Sequence, residues 1–168
     1  MAHPSLMALR AELHRQQLTG FVVPHTDEYQ NEYLPPCAER LAWLTGFTGS
    51  AGTAIVLRDD AAMFVDGRYT LQVADQVDEK IFSLHNSGET SPHEWVSLRA
   101  TPTDRIGYDP WLHTPQDLER FQTAIDRVAA AFLHPDQLLD ALVELMVADG
   151  VEVEPDQVES LDRRFVVE

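Results

Sequence analysis

Cysteine is almost missing. Cys37 is the single one, so no disulfide can form within the chain, a usage that fits a reducing compartment. No stretch approaches 18 consecutive apolar residues, which excludes a transmembrane span. Residues 1–17 lack an apolar run followed by a small-residue cleavage site and read as an amphipathic helix, not a signal peptide. These expectations place the chain in the cytoplasm. Positive charge is scarce too: Lys and Arg total 12 against 28 Asp and Glu, a formal net charge of −16. A surface of that sign repels phosphate backbones, so neither nucleic acid nor an anionic membrane is an expected partner.

Metal-binding and nucleophilic signatures are equally thin. The seven histidines are His3, His14, His25, His85, His93, His113 and His134. None pairs with another at i,i+3 or i,i+4, and there is no Cys-x-x-Cys. The carboxylate pairs Asp27-Glu28 and Asp59-Asp60 fall in polar turns, where solvation explains them.

What is present is a globular composition, 44% hydrophobic and 8% aromatic, in a length that suits one domain. Leu6, Leu9, Leu13 and Leu18 mark one face of a first helix with Ser5 as N-cap and Gly20 as its end. "FVVP" is a short buried strand, and "HTDEYQNEYLPP" a loop with at most one helical turn. A second helix covers about Ala38 to Leu44. "TAIVL" and "AAMFVD" lie three residues apart and read as a β-hairpin. Then come a helix carrying Tyr69, Val73 and Val77, a strand "KIFSLH", and a helix capped by Ser91 with Pro92 at its first position. A strand "RIGYD" leads to a long helix capped by Thr114 and Pro115, which runs to Phe132. One more helix ends at Gly150, and "VEVEP" is a last strand. The alternation predicts a mixed β-sheet flanked by helices, an α/β layer architecture.

Two stretches invite a chemical reading. Gly46, Phe47, Gly49, Ser50 and Gly52 form a loop between a helix and a strand. A nucleophile elbow or a dinucleotide fingerprint needs strand before helix, the reverse order. No helix N-terminus follows to hold a phosphate. The loop therefore reads as a rigid small-residue wall, with Phe47 as its core anchor. In "VDGRYT", Asp66 can cap a helix, Arg68 can pair with a carboxylate, and Tyr69 can bury its ring. A small hydrolase built on Ser50 would need a histidine beside it, and none is near in sequence.

Taken together, "DEYQNEYLPPCAERLAWLTGFTGSAGTAIVL" and "AAMFVDGRYTLQVADQVD" closely resemble the N-terminal domain of Xaa-Pro aminopeptidases (aminopeptidase P), in the creatinase/prolidase family of metallopeptidases, peptidase family M24. The three-domain cytosolic form is the nearest in pattern. Glu32-Tyr33, Arg40, the glycine loop, Asp66-Gly67-Arg68-Tyr69 and "GYDPWLHTP" all stand in the family's order, over about Leu6 to Val128. The resemblance implies a ribonuclease H-like fold in one domain, residues 1–168, without the pita-bread catalytic domain. In the family, that domain holds two metal ions, usually manganese, on two Asp, one His and two Glu. No such ligand motif occurs here. The resemblance therefore implies no catalytic, cofactor or metal residue in this chain, and an isolated chain that is inactive. The implied partners are its own C-terminal catalytic domain, a second copy in a homodimer, and peptide substrate through the full-length enzyme. The loop Gly46–Thr53 would face a neighbouring subunit's cleft. After residue 130 the chain departs from the pattern by adding a helix, and its end at Glu168 implies a cut or truncated product. The alternative is a stand-alone α/β binding module.

Overall fold

A computed structural model describes residues 3–135 and 138–153. Six strands form one sheet: β1 (Gly20–Pro24), β2 (Thr53–Leu57), β3 (Ala61–Val65), β4 (Ser83–Asn86), β5 (Arg105–Gly107) and β6 (Ala131–Leu133). Their order is β4-β3-β2-β1-β5-β6. β2 runs antiparallel to both β1 and β3, and every other neighbouring pair is parallel. The sheet is thus mixed, as the element pattern predicts.

Strand alternation divides the core. Phe21, Val23, Ala54, Val56, Met63 and Val65 face one side, where Leu6, Leu9, Leu13, Leu41, Leu44 and Leu142 meet them. These come from helices α1 (Pro4–Arg15), α2 (Arg40–Thr45) and α6 (Leu138–Ala148). Val22, Ile55, Phe64 and Ile106 face the other side, under Trp95, Val96, Phe121 and Ile125. Those come from α4 (Pro92–Arg99) and α5 (Pro115–Asp126). The period of two puts successive side chains on opposite faces, so both faces stay covered. α3 (Thr70–Gln76) adds Val73 to the first side.

Two caps match the sequence reading. Ser91 Oγ accepts from Glu94 N at 3.1 Å, and Thr114 Oγ1 from Asp117 N at 3.2 Å, each with a proline opening the helix. Other boundaries differ. Pro4 already begins α1, so His3 holds the cap position without a side-chain bond, and Ser5 is buried inside the helix. The chain leaves α1 at Gln16 and Gln17, where Gln17 turns left-handed at φ 59, and Gly20 opens β1 instead of ending the helix. Asp66 does not cap α3, because a turn closed by Tyr69 N on Asp66 O precedes it and Tyr69 holds the cap position. The long helix stops at Asp126. Beyond it Ala129 turns left-handed at φ 55, and Ala131–Leu133 form β6, which pairs with β5 from Arg105↔Ala131 to Gly107↔Leu133. A short strand thus stands where the sequence reading continues the helix, and α6 follows it. Residues 151–153 of "VEVEP" are not a strand; its last two residues lie outside the described residues.

Candidate functional site

One rim of the sheet gathers four loops. The segments leaving β1, β3 and β5 meet there with the one entering β2, because β2 alone runs the opposite way among these four. The glycine loop belongs to this rim. It begins at Gly46, whose φ of 81 is the left-handed end of α2, a conformation that favours glycine. Phe47 then turns inward and is fully buried, 0% exposed, edge-to-face with Tyr69 at 5.7 Å between ring centres. Thr48 is held from α3: its N–H donates to Gln76 Oε1 at 3.0 Å, and its hydroxyl accepts from Gln76 Nε2 at 2.9 Å. Gly49 lies against both rings of the Phe47–Tyr69 pair.

Ser50 joins three loops. Its hydroxyl donates to Glu32 Oε1 at 2.9 Å and lies 2.7 Å from the Tyr69 hydroxyl. Ser50 has one proton and gives it to Glu32, so Tyr69 donates to Ser50. The chain of bonds runs from Tyr69 through Ser50 to the carboxylate. No histidine bonds Ser50 among the described residues. His25 lines the same cleft, but its Nε2 lies 3.1 Å from the Glu32 carbonyl oxygen. The hydroxyl thus bridges the Tyr69 hydroxyl and the Glu32 carboxylate.

Asp27 delivers Glu32 to this place. It is 4% exposed, not a solvated turn residue, and its carboxylate accepts from Tyr29 N, Asn31 N and Asn31 Nδ2. Burial alone would push its pKa up; these bonds outweigh it and hold the carboxyl below the ordinary value. Asp60 is likewise engaged, with Arg99 at 2.8 Å.

Arg68 stands beside the bridge. Its guanidinium packs over the Tyr69 ring at 5.3 Å and pairs with Asp66 at 2.7 Å. Hydrogen bonds from the Arg68 side chain and N–H hold the Asp66 carboxyl below its ordinary value. The Asp66–Arg68–Tyr69 motif therefore shapes an exposed turn instead of a helix end.

Beside the loop lies an open cleft of about 480 Å³, lined by His25, Glu32, Ser50, Gly52, Thr114 and Asp117 among others. Its far wall holds a second network. Asp117 Oδ1 lies 2.9 Å from His93 Nε2, and Oδ2 lies 2.8 Å from His113 Nδ1. Burial raises the Asp117 pKa, but the two imidazole bonds win and hold the carboxyl well below the carboxylate range. Sequence reasoning missed this trio and the roles of Asp27 and Glu32. The i,i+4 spacing of His113 and Asp117 was its one local signal; His93 comes from another helix.

The rim thus carries small-residue walls, hydroxyls, a carboxylate and a guanidinium. Among the described residues no group of three or more His, Cys, Asp or Glu is placed to hold a metal ion, and no helix is long and apolar enough to cross a membrane. Sheet and flanking helices together have the α/β fold of creatinase/prolidase-like N-terminal domains. The chain belongs to the creatinase/prolidase N-terminal domain family, whose pattern it matches over residues 6–142. It is 39% identical over 122 residues to human Xaa-Pro aminopeptidase 2, covering 72% of this chain and 18% of that protein. It is 36% identical over 110 residues to Arabidopsis thaliana aminopeptidase P2, covering 64% of this chain and 16% of that one. The chain thus spans about a fifth of the length of such relatives. Among solved structures it superposes on X-prolyl aminopeptidase from Caenorhabditis elegans, described as a cytosolic enzyme with a di-nuclear active site. The TM-score is 0.71 at 25% identity, over 81% of this chain and 24% of that one. The N-terminal domain of peptidase PepQ from Mycobacterium tuberculosis shares the fold, with a TM-score of 0.62 at 19% identity, over 84% of this chain and 99% of that one.

Proposed function

We propose that this chain is the non-catalytic N-terminal domain of a metal-dependent Xaa-Pro aminopeptidase, an enzyme that removes the N-terminal residue preceding proline. It contributes to assembly and substrate access. The observation that carries the reading is the match to Xaa-Pro aminopeptidases at 39% identity, confined to 18% of the relative's length. Peptide hydrolysis belongs to a C-terminal catalytic domain with two divalent ions, manganese being the expected metal. The described residues of this chain do not fit such a centre, and no step of the reaction runs through them. The assembled enzyme is a cytoplasmic homodimer. In it, the wall of Gly46, Phe47, Gly49, Ser50 and Gly52 borders a neighbouring subunit's cleft. The bond Ser50 donates to Glu32 and the one it accepts from Tyr69 keep that wall rigid, and its small side chains let a peptide approach closely.

Two measurements test this. The chain alone, supplied with manganese and an Xaa-Pro dipeptide, should release no product; turnover that a chelator abolishes refutes the reading. In the full-length enzyme, Ser50→Ala should leave turnover nearly intact. A loss of about a thousandfold with folding intact is the size expected for a catalytic group, and it would make Ser50 one.

A further inference from the structure

The opposite rim of the sheet has a character the chain's composition does not suggest. There, where β1 and β5 begin and β2 ends, an open cavity of about 900 Å³ is lined by Arg10, His14, Arg15, Arg58 and Arg105. Four of the 12 basic residues of a chain with net charge −16 share this one cavity, and no Asp or Glu lines it among the described residues. Its volume lies in the range of small-molecule sites.

The guanidiniums are fixed largely without being neutralised. Arg10 Nε donates to Leu57 O at 3.1 Å and its Nη2 to Asp60 O at 3.0 Å. Arg105 Nε donates to Gln17 O at 3.0 Å. Backbone carbonyls carry no net charge, so these bonds orient the two forks and leave their positive charge in place. Arg58 is exposed and makes no hydrogen bond among the described residues. Arg15 differs, being paired to Glu12 at 2.6 Å. Of the flanking carboxylates, Asp60 pairs with Arg99, whereas Asp104 accepts from Thr19 and Thr101, neutral donors that leave its charge in place. The charges of Asp59 and Asp60 act on Arg10 and that of Asp104 on Arg58, all three from outside the cavity lining.

We propose that this cavity is a binding site for a small polyvalent oxyanion, a phosphate or carboxylate compound bearing two or more negative charges. Arg10 and Arg105 supply fixed donors, and Arg58 swings in from the rim. Planar guanidiniums match such oxyanions with paired N–H bonds. The site is distinct from the glycine-loop rim and does not depend on the peptidase reading.

Isothermal titration of the 168-residue chain with pyrophosphate and, separately, with citrate tests this. At least one should bind, more weakly as salt is raised. The Arg58→Gln/Arg105→Gln variant should weaken binding about tenfold or more, since one lost charge-assisted bond is worth about a factor of ten. Arg120→Gln/Arg127→Gln, on α5 and just beyond its end, should bind as the parent does. Arg58→Gln alone breaks no bond of the fold and serves if the double variant does not fold. In the unaltered chain, the Nε–H signals of Arg10 and Arg105 should shift with ligand. Binding of neither probe, or equal loss in the Arg120/Arg127 variant, overturns the proposal.

Discussion

Gly49→Ala adds a single methyl group, and the structure says where that carbon lands. An added Cβ would lie 2.3 Å from Phe47 Cζ, 2.8 Å from Phe47 Cε1 and 2.9 Å from Tyr69 Cδ1. The backbone of Gly49 is not left-handed, so the whole penalty is contact. Neither ring yields easily: Phe47 is fully buried, and the Tyr69 hydroxyl is tied to Ser50 at 2.7 Å. Overpacking a filled core costs about 1–3 kcal/mol, and displacing two rings puts this case at about 2–3. For a chain of this length each kcal/mol lowers the melting midpoint by roughly 2–4 °C, so the drop should be roughly 4–12 °C. Thermal and urea unfolding followed by circular dichroism measure it. Phe47→Leu removes the two clashing ring carbons, so the double variant should recover about 1 kcal/mol relative to the sum of the singles. A Gly49→Ala midpoint within about 1 °C of the parent, or a strictly additive pair, would refute the assignment of the loop as a packed wall.

The bridge at Ser50 should weigh on stability more than on chemistry: Ser50→Ala should cost about 1 kcal/mol in urea unfolding. Asp117→Asn should cost about 1–2 kcal/mol at neutral pH by disturbing the bonds to His93 and His113. Asp117 has a folded pKa below its unfolded value of about 3.9, so its contribution is present above that value and lost as pH falls toward the folded one. Parent and Asp117→Asn stabilities should therefore converge below about pH 4, and a gap unchanged from pH 7 to pH 3 would count against the ionised trio. Thr114→Ala should lower stability by about 1 kcal/mol through loss of a cap, whereas Asp66→Ala, which caps no helix, should leave the midpoint nearly unchanged.

Legibility followed the range of the forces involved. The β2–β3 hairpin was readable because two apolar runs flank a short turn, and its strands end within a residue of the expected places. Ser91-Pro92 and Thr114-Pro115 were readable because a cap is a bond between residues three apart. β6 was not, since Ala129, Ala130 and Ala131 extend a helical pattern and only pairing with β5 makes Ala131–Leu133 a strand. At Asp66 the local rule allowed a cap or a turn, and Arg68 decided for the turn by taking the carboxylate. The glycine loop was legible as a tight corner with Phe47 as its anchor. Its fastening was not, because Glu32 and Tyr69 reach Ser50 from 18 and 19 residues away. Sheet order is likewise a tertiary fact: nothing local indicates that β1 lies between β2 and β5.

That central place of β1 has a consequence in time. Its antiparallel partner β2 begins about 30 residues further along the chain, but the pairing with β5 waits much longer: Arg105 N donates to Thr19 Oγ1 across a separation of 86 residues. At a synthesis rate of roughly 5–20 residues per second, β5 leaves the ribosome about 4 to 17 seconds after β1. For that interval β1, flanked by β2 on one side alone, presents an open row of N–H and C=O groups, the kind of edge that recruits foreign strands. A nascent chain arrested before residue 105 should therefore be the aggregation-prone species, and release beyond residue 107, where β5 completes its pairing with β1, should close that edge.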